Sequence, residues 1–245
     1  NLLIIDRLGK INLKFINKIK NNFKKKIILE DSSINRKKFD LSLNPLIRNI
    51  KTVKNSKIGF EYMLLKPNKP LKTKPSKKNH VLLFFGGFDR KKYSIHVLQI
   101  LNNLKFKLNI YVPDVYRKHL LDTNTFHKLI FFNNKNYLSK LKISNIIICS
   151  GGLGLFDSIL INKKIICLPQ YEHQKSNAKE LSKKKAIHYF ARVNKNKILN
   201  TFMKIYDNQI YEKKIKSIHK KIINKQKLNR NYNLIGKIYE QSIKK

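Results

Sequence analysis

Two pairs of neighbouring glycines are the residues whose type and spacing best fit a chemical role. Gly86-Gly87 follows the apolar run Val81–Phe85, and Gly151-Gly152 follows the apolar run Ile146–Cys149. Apolar runs of this length predict buried strands, and a glycine directly after a strand lets the backbone approach a ligand closely. A loop that leads into a helix also offers free N–H groups to an anion such as a diphosphate. Paired glycines can equally make a simple tight turn, so both interpretations stay open.

Polar side chains follow each glycine pair at spacings that could complete such a site. Asp157 lies five residues after Gly152, about one turn into the next predicted helix, where its carboxylate could accept ribose hydroxyls. The helix dipole alone would also favour an acid there. His173 and Gln174 lie in a polar loop after the following strand and are expected to point into the same crevice, although a solvated loop would explain them too. Asp89 follows the first pair and is a candidate for the same cleft.

These loops are positioned by apolar strands that alternate with amphipathic helices. Five runs without polar alternation predict strands covered on both faces, as in a doubly wound parallel sheet: Val81–Phe85, Leu108–Val112, Leu129–Phe132, Ile146–Cys149 and Ile165–Leu168. Helices are predicted between them, among others at Leu155–Ile161 and Asn177–Lys184. Ligands bind beyond the carboxyl ends of strands in such sheets, which is where both glycine pairs fall.

The pattern along the chain predicts four segments. Residues 1–65 form a partial N-terminal α/β domain, because Leu2–Ile5, Ile11–Phe23 and Ile27–Leu29 read as strand, helix and strand. Residues 66–80 form a linker that holds three of the six prolines. Residues 81–190 form a Rossmann-like domain that holds both glycine pairs, to which the resemblance given below assigns nucleotide-sugar binding, and residues 191–245 form lysine-rich C-terminal helices. Since the sequence starts in mid-strand without Met, we expect part of the N-terminal domain to be missing.

The charge of the chain is extreme, with 54 Lys and Arg against 14 Asp and Glu and a formal net charge of +40. One interpretation is a surface that binds nucleic acid. The other, which we favour, is compositional drift, because Lys greatly outnumbers Arg and is spread over the whole sequence, whereas phosphate recognition tends to use Arg. Either way, the charge predicts weak, salt-sensitive adhesion to nucleic acids and anionic membranes.

Several classes of protein do not fit the sequence. A hydrophobic content of 42% argues against global disorder, and no apolar run approaches the roughly 20 residues of a transmembrane helix. Cys149 and Cys167 end apolar runs and are expected to be buried thiols in a reducing, cytoplasmic compartment. No metal-ligand spacing is present, and no cofactor is predicted.

The motifs resemble a known group. In order and spacing they are similar to the donor-binding domain of GT-B glycosyltransferases of the MurG type, and more closely to the pseudaminic-acid pathway UDP-sugar hydrolases. The family patterns GPEYALLRP, SFGGSD and AGGSTSWE and a later NQ pair correspond, in that order, to Gly59–Pro67, Phe85–Asp89, Ser150–Asp157 and His173-Gln174. The resemblance covers most of residues 1–190 and implies a GT-B-like α/β fold.

The resemblance also implies roles for individual residues. A UDP-sugar would lie in a cleft between two Rossmann-like domains. Gly151, Gly152 and Gly154 would meet the diphosphate, Asp157 the ribose, and Gln174 the sugar or phosphate. Asp6 would face the same cleft from the N-terminal domain, beside Gly86, Gly87, Asp89 and His173.

The implied chemistry is hydrolysis of the UDP-sugar bond, once the missing N-terminal part is supplied. The chain departs from the family at Leu153 and Gly154, which replace hydroxyl residues, at the shorter acid Asp157, and at His173, which replaces Asn. Two alternatives stay open, namely a MurG-type glycosyltransferase and a catalytically inactive basic interaction protein.

Overall fold

The computed structural model of the protein describes residues 1–46, 50–64, 77–223 and 225–243. The chain divides into two compact units. Unit 1 consists of residues 1–68 together with 222–245, and unit 2 consists of residues 69–221. The helices predicted for residues 191–245 are therefore shared between the two units.

Unit 1 contains a four-stranded parallel sheet in the order β1-β2-β3-β4. Its elements are β1 (Leu2–Gly9), α1 (Leu13–Ile19), β2 (Lys25–Asp31), β3 (Leu41–Asn44), β4 (Ser56–Ile58) and α9 (Lys225–Ile243). The strand, helix and strand predicted at the start are confirmed.

Helix α9 covers part of the core of unit 1. Ile27, Leu41 and Leu43 of the sheet are almost fully buried, and they pack against Leu234, Ile235 and Ile238 of α9. Those three residues lie one and three positions apart, so they share one face of the helix. The side-chain amide of Asn231 also donates to the carbonyl oxygen of Glu61 at 2.7 Å. The C-terminal helix is thus part of the N-terminal unit.

Unit 2 contains a six-stranded parallel sheet in the order β10-β9-β8-β5-β6-β7. Its strands are β5 (Lys77–Phe84), β6 (Asn109–Pro113), β7 (Lys128–Phe132), β8 (Ser144–Cys149), β9 (Lys164–Cys167) and β10 (His188–Tyr189). Its helices are α2 (Tyr93–Leu101), α3 (Arg117–Leu120), α4 (Tyr137–Ile143), α5 (Leu153–Leu160), α6 (Glu172–Lys183), α7 (Lys195–Tyr206) and α8 (Gln209–Ile222).

All five strands predicted in this half of the chain are confirmed. Strand β5 begins at Lys77, so the last four residues of the predicted linker 66–80 belong to the sheet. The rest of that linker, and the end of the Gly59–Pro67 motif, lie outside the described residues.

The apolar strands of unit 2 are buried as their sequences predict. Ile146, Ile147 and Ile148 of β8 are almost fully buried, which requires cover on both faces of the sheet. Cys149 and Cys167 are buried free thiols at paired positions of β8 and β9. Burial raises the pKa of the Cys167 thiol well above its ordinary value, so this thiol stays protonated and packs as a small apolar side chain.

Candidate functional site

The two glycine loops meet where the strand order of unit 2 reverses. From β5 the chain moves to β6 on one side, whereas β8 lies on the other side of β5. Such a reversal leaves a crevice at the carboxyl ends of the two central strands, and this is the usual ligand position in open parallel sheets. Phe84 and Cys149 are paired at those ends, and the N–H of Ser150 donates to the carbonyl oxygen of Phe84 at 3.4 Å. The loops Gly86-Gly87 and Ser150-Gly151-Gly152 therefore leave adjacent strands side by side.

The glycines of the second loop have different reasons for being glycine. A Cβ atom at Gly151 would lie 2.6 Å from the carbonyl oxygen of Gln174, and one at Gly154 would lie 2.6 Å from the ring of Phe84. Packing therefore excludes a side chain at both positions. A Cβ atom at Gly152 would meet only the Nε2 atom of Gln174, at an ordinary 3.5 Å. Gly152 caps α5 without a side-chain hydrogen bond, which leaves the first N–H groups of that helix for an external acceptor.

Gln174 aims a hydrogen-bond donor at this loop. Its side chain is 8% exposed, and its Oε1 atom accepts from the N–H of Gln170 at 2.9 Å. Because Oε1 is occupied, the amide is oriented with Nε2 next to Gly152, and no acceptor for Nε2 is found within the part of the chain that the structure describes. Gln174 and His173 lie in the first turn of α6, which starts at Glu172, so the loop predicted for them is wrong.

Gln170 is an organising residue that the sequence analysis missed. Its side-chain Nε2 donates to the carbonyl oxygens of Phe85 at 2.7 Å and Phe88 at 3.2 Å, and its Oε1 accepts from the N–H of Lys91 at 3.2 Å. One buried side chain thereby joins the β9–α6 loop to the first glycine loop. The spacing of Gln170 and Gln174, four residues apart after Pro169, was the only signal for it in the sequence.

Asp157 is held by a tyrosine that the sequence analysis also missed. The Tyr137 hydroxyl donates to Oδ2 of Asp157 at 3.3 Å, and the Tyr137 ring packs on Phe84 with the ring centroids 4.5 Å apart. Burial raises the pKa of Asp157, and the hydrogen bond from Tyr137 opposes that shift. Oδ1 of Asp157 has no hydrogen-bond partner in the described ranges, so this oxygen is left to accept from a ligand.

Asp89, the acidic residue of the first glycine loop, has a structural role. Asp89 is 4% exposed, and its carboxylate accepts from the N–H groups of Tyr93 at 3.0 Å and Ser94 at 2.7 Å. Both carboxylate oxygens of Asp89 thus cap the start of α2. Gly86, with a φ of +93°, presents its carbonyl oxygen to the hydroxyl of Tyr116 at 2.6 Å. Asp89 therefore shapes the loop, and its predicted contact with a ligand stays a prediction.

The remaining candidates differ in their surroundings. His173 is half-buried and its ring stacks on that of Tyr171 with the centroids 5.7 Å apart. Burial lowers the pKa of His173, so the imidazole is mainly neutral near pH 7. Asp6 is exposed on β1 of unit 1, and its place in a cleft shared with unit 2 stays a prediction.

The described residues contain neither a metal-binding cluster nor a membrane-spanning helix. Over residues 1–46, 50–64, 77–223 and 225–243, no group of three or more His, Cys, Asp or Glu side chains could hold a metal ion. Within the same ranges, no helix has both the length and the apolarity that crossing a bilayer requires.

The chain has two α/β units, each built on a parallel sheet, and one of them carries glycine loops at its switch point. This is a GT-B-like fold. Neither a protein-family model nor a curated protein sequence matches the chain. Solved structures do match. MurG of Acinetobacter baumannii aligns with a TM-score of 0.65 and 13% identity over 95% of this chain and 75% of its own. The spinosyn rhamnosyltransferase SpnG in complex with thymidine diphosphate aligns with a TM-score of 0.61 and 13% identity, over 95% and 72%.

A third match is a putative UDP-N-acetylglucosamine 2-epimerase from Listeria monocytogenes, with a TM-score of 0.62 and 11% identity over 98% of this chain and 75% of its own. Identities this low establish the fold alone. The matches agree with the predicted GT-B-like fold, but they give no support to the more specific resemblance to the UDP-sugar hydrolases.

Proposed function

We propose that the chain binds the diphosphate of a nucleoside-diphosphate sugar at the switch point of unit 2 and serves glycosyl transfer. The observation that carries this proposal is the orientation of Gln174. Its occupied Oε1 leaves Nε2 as an unoccupied donor next to Gly152, where the N-terminus of α5 also presents N–H groups. Convergent donors at a helix N-terminus favour an anion with several acceptor oxygens, as a diphosphate has.

The surroundings of the loops support a negatively charged ligand. Arg90, Lys91 and Lys92 follow the first glycine loop and are exposed. Asp89 is the acidic residue of that loop, and its carboxylate is occupied by two backbone N–H groups. The positive charge near the crevice is therefore not cancelled by a free carboxylate in the same loop, which favours the approach of an anion.

A nucleoside is the proposed neighbour of the diphosphate. Asp157 lies one turn beyond the glycines and offers Oδ1 as an acceptor for ribose hydroxyls, while Tyr137 holds Oδ2. Two of the similar structures also support a nucleoside diphosphate. One contains thymidine diphosphate, and the other is called a putative UDP-N-acetylglucosamine 2-epimerase. We propose UDP as the first nucleotide to test and thymidine diphosphate as the second.

We favour glycosyl transfer over hydrolysis because the structures similar to this chain include glycosyltransferases. The two reactions differ in what takes the sugar. A transferase passes it to an acceptor hydroxyl, whereas a hydrolase passes it to water and releases free sugar without any acceptor. Incubation with a UDP-sugar in the absence of an acceptor therefore separates them, since only a hydrolase forms free sugar and UDP in equal amounts under those conditions.

Calorimetric titration with UDP tests the binding site. We expect saturable binding in the micromolar range that moderate salt weakens but does not remove. Gly152→Val should abolish it, because the Val side chain would occupy the space between the loop and Nε2 of Gln174. Gly236→Val is the matched control, since Gly236 lies on α9 of unit 1 with nothing within 4 Å of an added Cβ atom.

The opposite result has a definite meaning. If the heat of binding disappears with salt and is the same in Gly152→Val, the glycine loop is a tight turn and not a diphosphate site. The predicted adhesion through the charge of +40 would then explain the signal, and the basic interaction protein would become the leading interpretation.

A further inference from the structure

Gln170 is a buried side chain with no role yet in the proposed site. It is 5% exposed, and its amide is engaged on both sides by the backbone of the first glycine loop, at Phe85, Phe88 and Lys91. A ligand cannot contact a side chain that is enclosed and hydrogen-bonded in this way. Any effect of Gln170 on binding must therefore act through another residue.

The backbone of Gln170 supplies that connection. Its N–H donates to Oε1 of Gln174 at 2.9 Å, and this bond fixes which end of the Gln174 amide faces Gly152. An amide free to rotate would present oxygen or nitrogen to the loop, and only nitrogen can donate to a phosphate oxygen. The three bonds of the Gln170 side chain hold its backbone in the place where it can set this orientation.

We infer that Gln170 is a positioning residue for phosphate binding, acting through Gln174. This inference rests on the proposed function, since it concerns the affinity of the same site. It assigns the orientation of the donor next to Gly152 to a residue that belongs to a different loop and never touches the ligand.

Gln170→Glu is the most direct test. The substitution keeps the shape of the side chain but places a carboxylate oxygen where an NH2 group donates to the carbonyls of Phe85 and Phe88. The resulting repulsion should displace the Gln170 backbone. We expect UDP affinity to fall about ten- to a hundredfold, the loss associated with one hydrogen bond to a charged group. Gln170→Met, which removes the bonds without adding charge, replaces this variant if the first one does not fold.

A double-mutant cycle separates positioning from general damage. Gln174→Leu should also weaken UDP binding, and adding Gln170→Glu to it should cause little further loss, because the residue through which Gln170 acts is already gone. In the ligand-free protein, Gln170→Glu should shift the NMR amide signals of Gly151 and Gly152, which lie against Gln174. The signal of Gly236 on α9 is the internal control.

The outcomes distinguish the inference from the function on which it rests. If the wild-type chain does not bind UDP, the proposed function fails, while the NMR shifts still test the positioning. If UDP binds and Gly152→Val abolishes binding, but Gln170→Glu and Gln170→Met bind UDP normally, the inference alone is overturned. Losses that add fully in the double variant would also overturn it, since they would mean that Gln170 does not act through Gln174.

Discussion

The two units use the same βα elements but arrange the strands differently. In unit 1 the order β1-β2-β3-β4 follows the sequence, so successive strands are added on one side. In unit 2 the order reverses at β5, and the loops after β5 and β8 meet there. Four of the eight glycines lie in those two loops, and a fifth, Gly154, is the second residue of α5. The comparison teaches that strand order, more than strand composition, decides where this chain can bring a backbone close to a ligand.

The units also differ in how they should respond to acid. All seven histidines lie between residues 80 and 219, within unit 2. Burial is the main cause of a lowered pKa at His80, His127, His173, His188 and His219. Unit 1, which has no histidine, lacks this source of acid sensitivity.

The largest expected effect is a loss of stability in one unit alone, caused by a cavity in its core. Leu43→Ala should lower the free energy of unfolding of unit 1 by about 2–5 kcal/mol, because Leu43 is fully buried. Hydrogen exchange should show loss of protection in β2 and β3, with β5 and β8 unchanged and UDP affinity preserved. Leu83→Ala, equally buried in unit 2, should give the reverse pattern. Equal loss in both units from either substitution would show that they unfold as one body.

Acid titration should give the next largest effect. The Nε2–H group of the buried His219 donates to the carbonyl oxygen of Ala186 at 2.8 Å, and burial lowers the pKa of this imidazole to about 4. Above pH 6.5 both folded and unfolded states hold it neutral. Between pH 6.5 and 4 only the unfolded state binds the proton, so stability falls with decreasing pH by about 3 kcal/mol.

Hydrogen exchange at several pH values measures this loss. Protection in unit 2 should decline from pH 6.5 to 4 more steeply than in unit 1. His219→Gln, which keeps an N–H donor for Ala186, should flatten the decline. A slope unchanged in that variant would mean that other groups, and not His219, control the acid response.

The smallest expected effect separates two neighbouring glycines. Gly86 has a φ of +93°, whereas Gly87 does not have a positive φ, and neither has an atom within 4 Å of an added Cβ. Gly86→Ala should therefore lower stability by about 1 kcal/mol through backbone strain alone, and Gly87→Ala should change it by less than about 0.5 kcal/mol. Thermal melting of the pair measures the difference. Equal melting temperatures would remove strain as the reason for glycine at position 86.

The sequence predicted the elements better than it predicted their contacts. Fully apolar runs such as Ile146–Cys149, short and rich in β-branched residues, favour strands buried on both faces, and these predictions are confirmed. The helix containing Gln174 was expected to start later, because the polar residues after Pro169 resemble a loop, yet the first turn of a helix is often polar as well.

The hydrogen bonds that shape the site could not be predicted from local sequence patterns. Gln170 reaches residues about eighty positions away in the sequence, and Tyr137 reaches Asp157 from another helix. Such contacts depend on which strands become neighbours, and a single sequence does not fix that order. For the same reason, the sequence predicted lysine-rich C-terminal helices but not that one of them, α9, covers the sheet of unit 1.

The discontinuity of unit 1 has a consequence for biosynthesis. Residues of β2 and β3 are translated before unit 2, but the helix that covers them, α9, is translated only after the whole of unit 2. At about 5–20 residues per second, the wait is about 10–40 s. During that interval Ile27, Leu41 and Leu43 lack their partners Leu234, Ile235 and Ile238, whereas the sequence of unit 2 is complete before α9 is made. We therefore expect the sheet of unit 1, although it precedes unit 2 in the sequence, to complete its folding after unit 2.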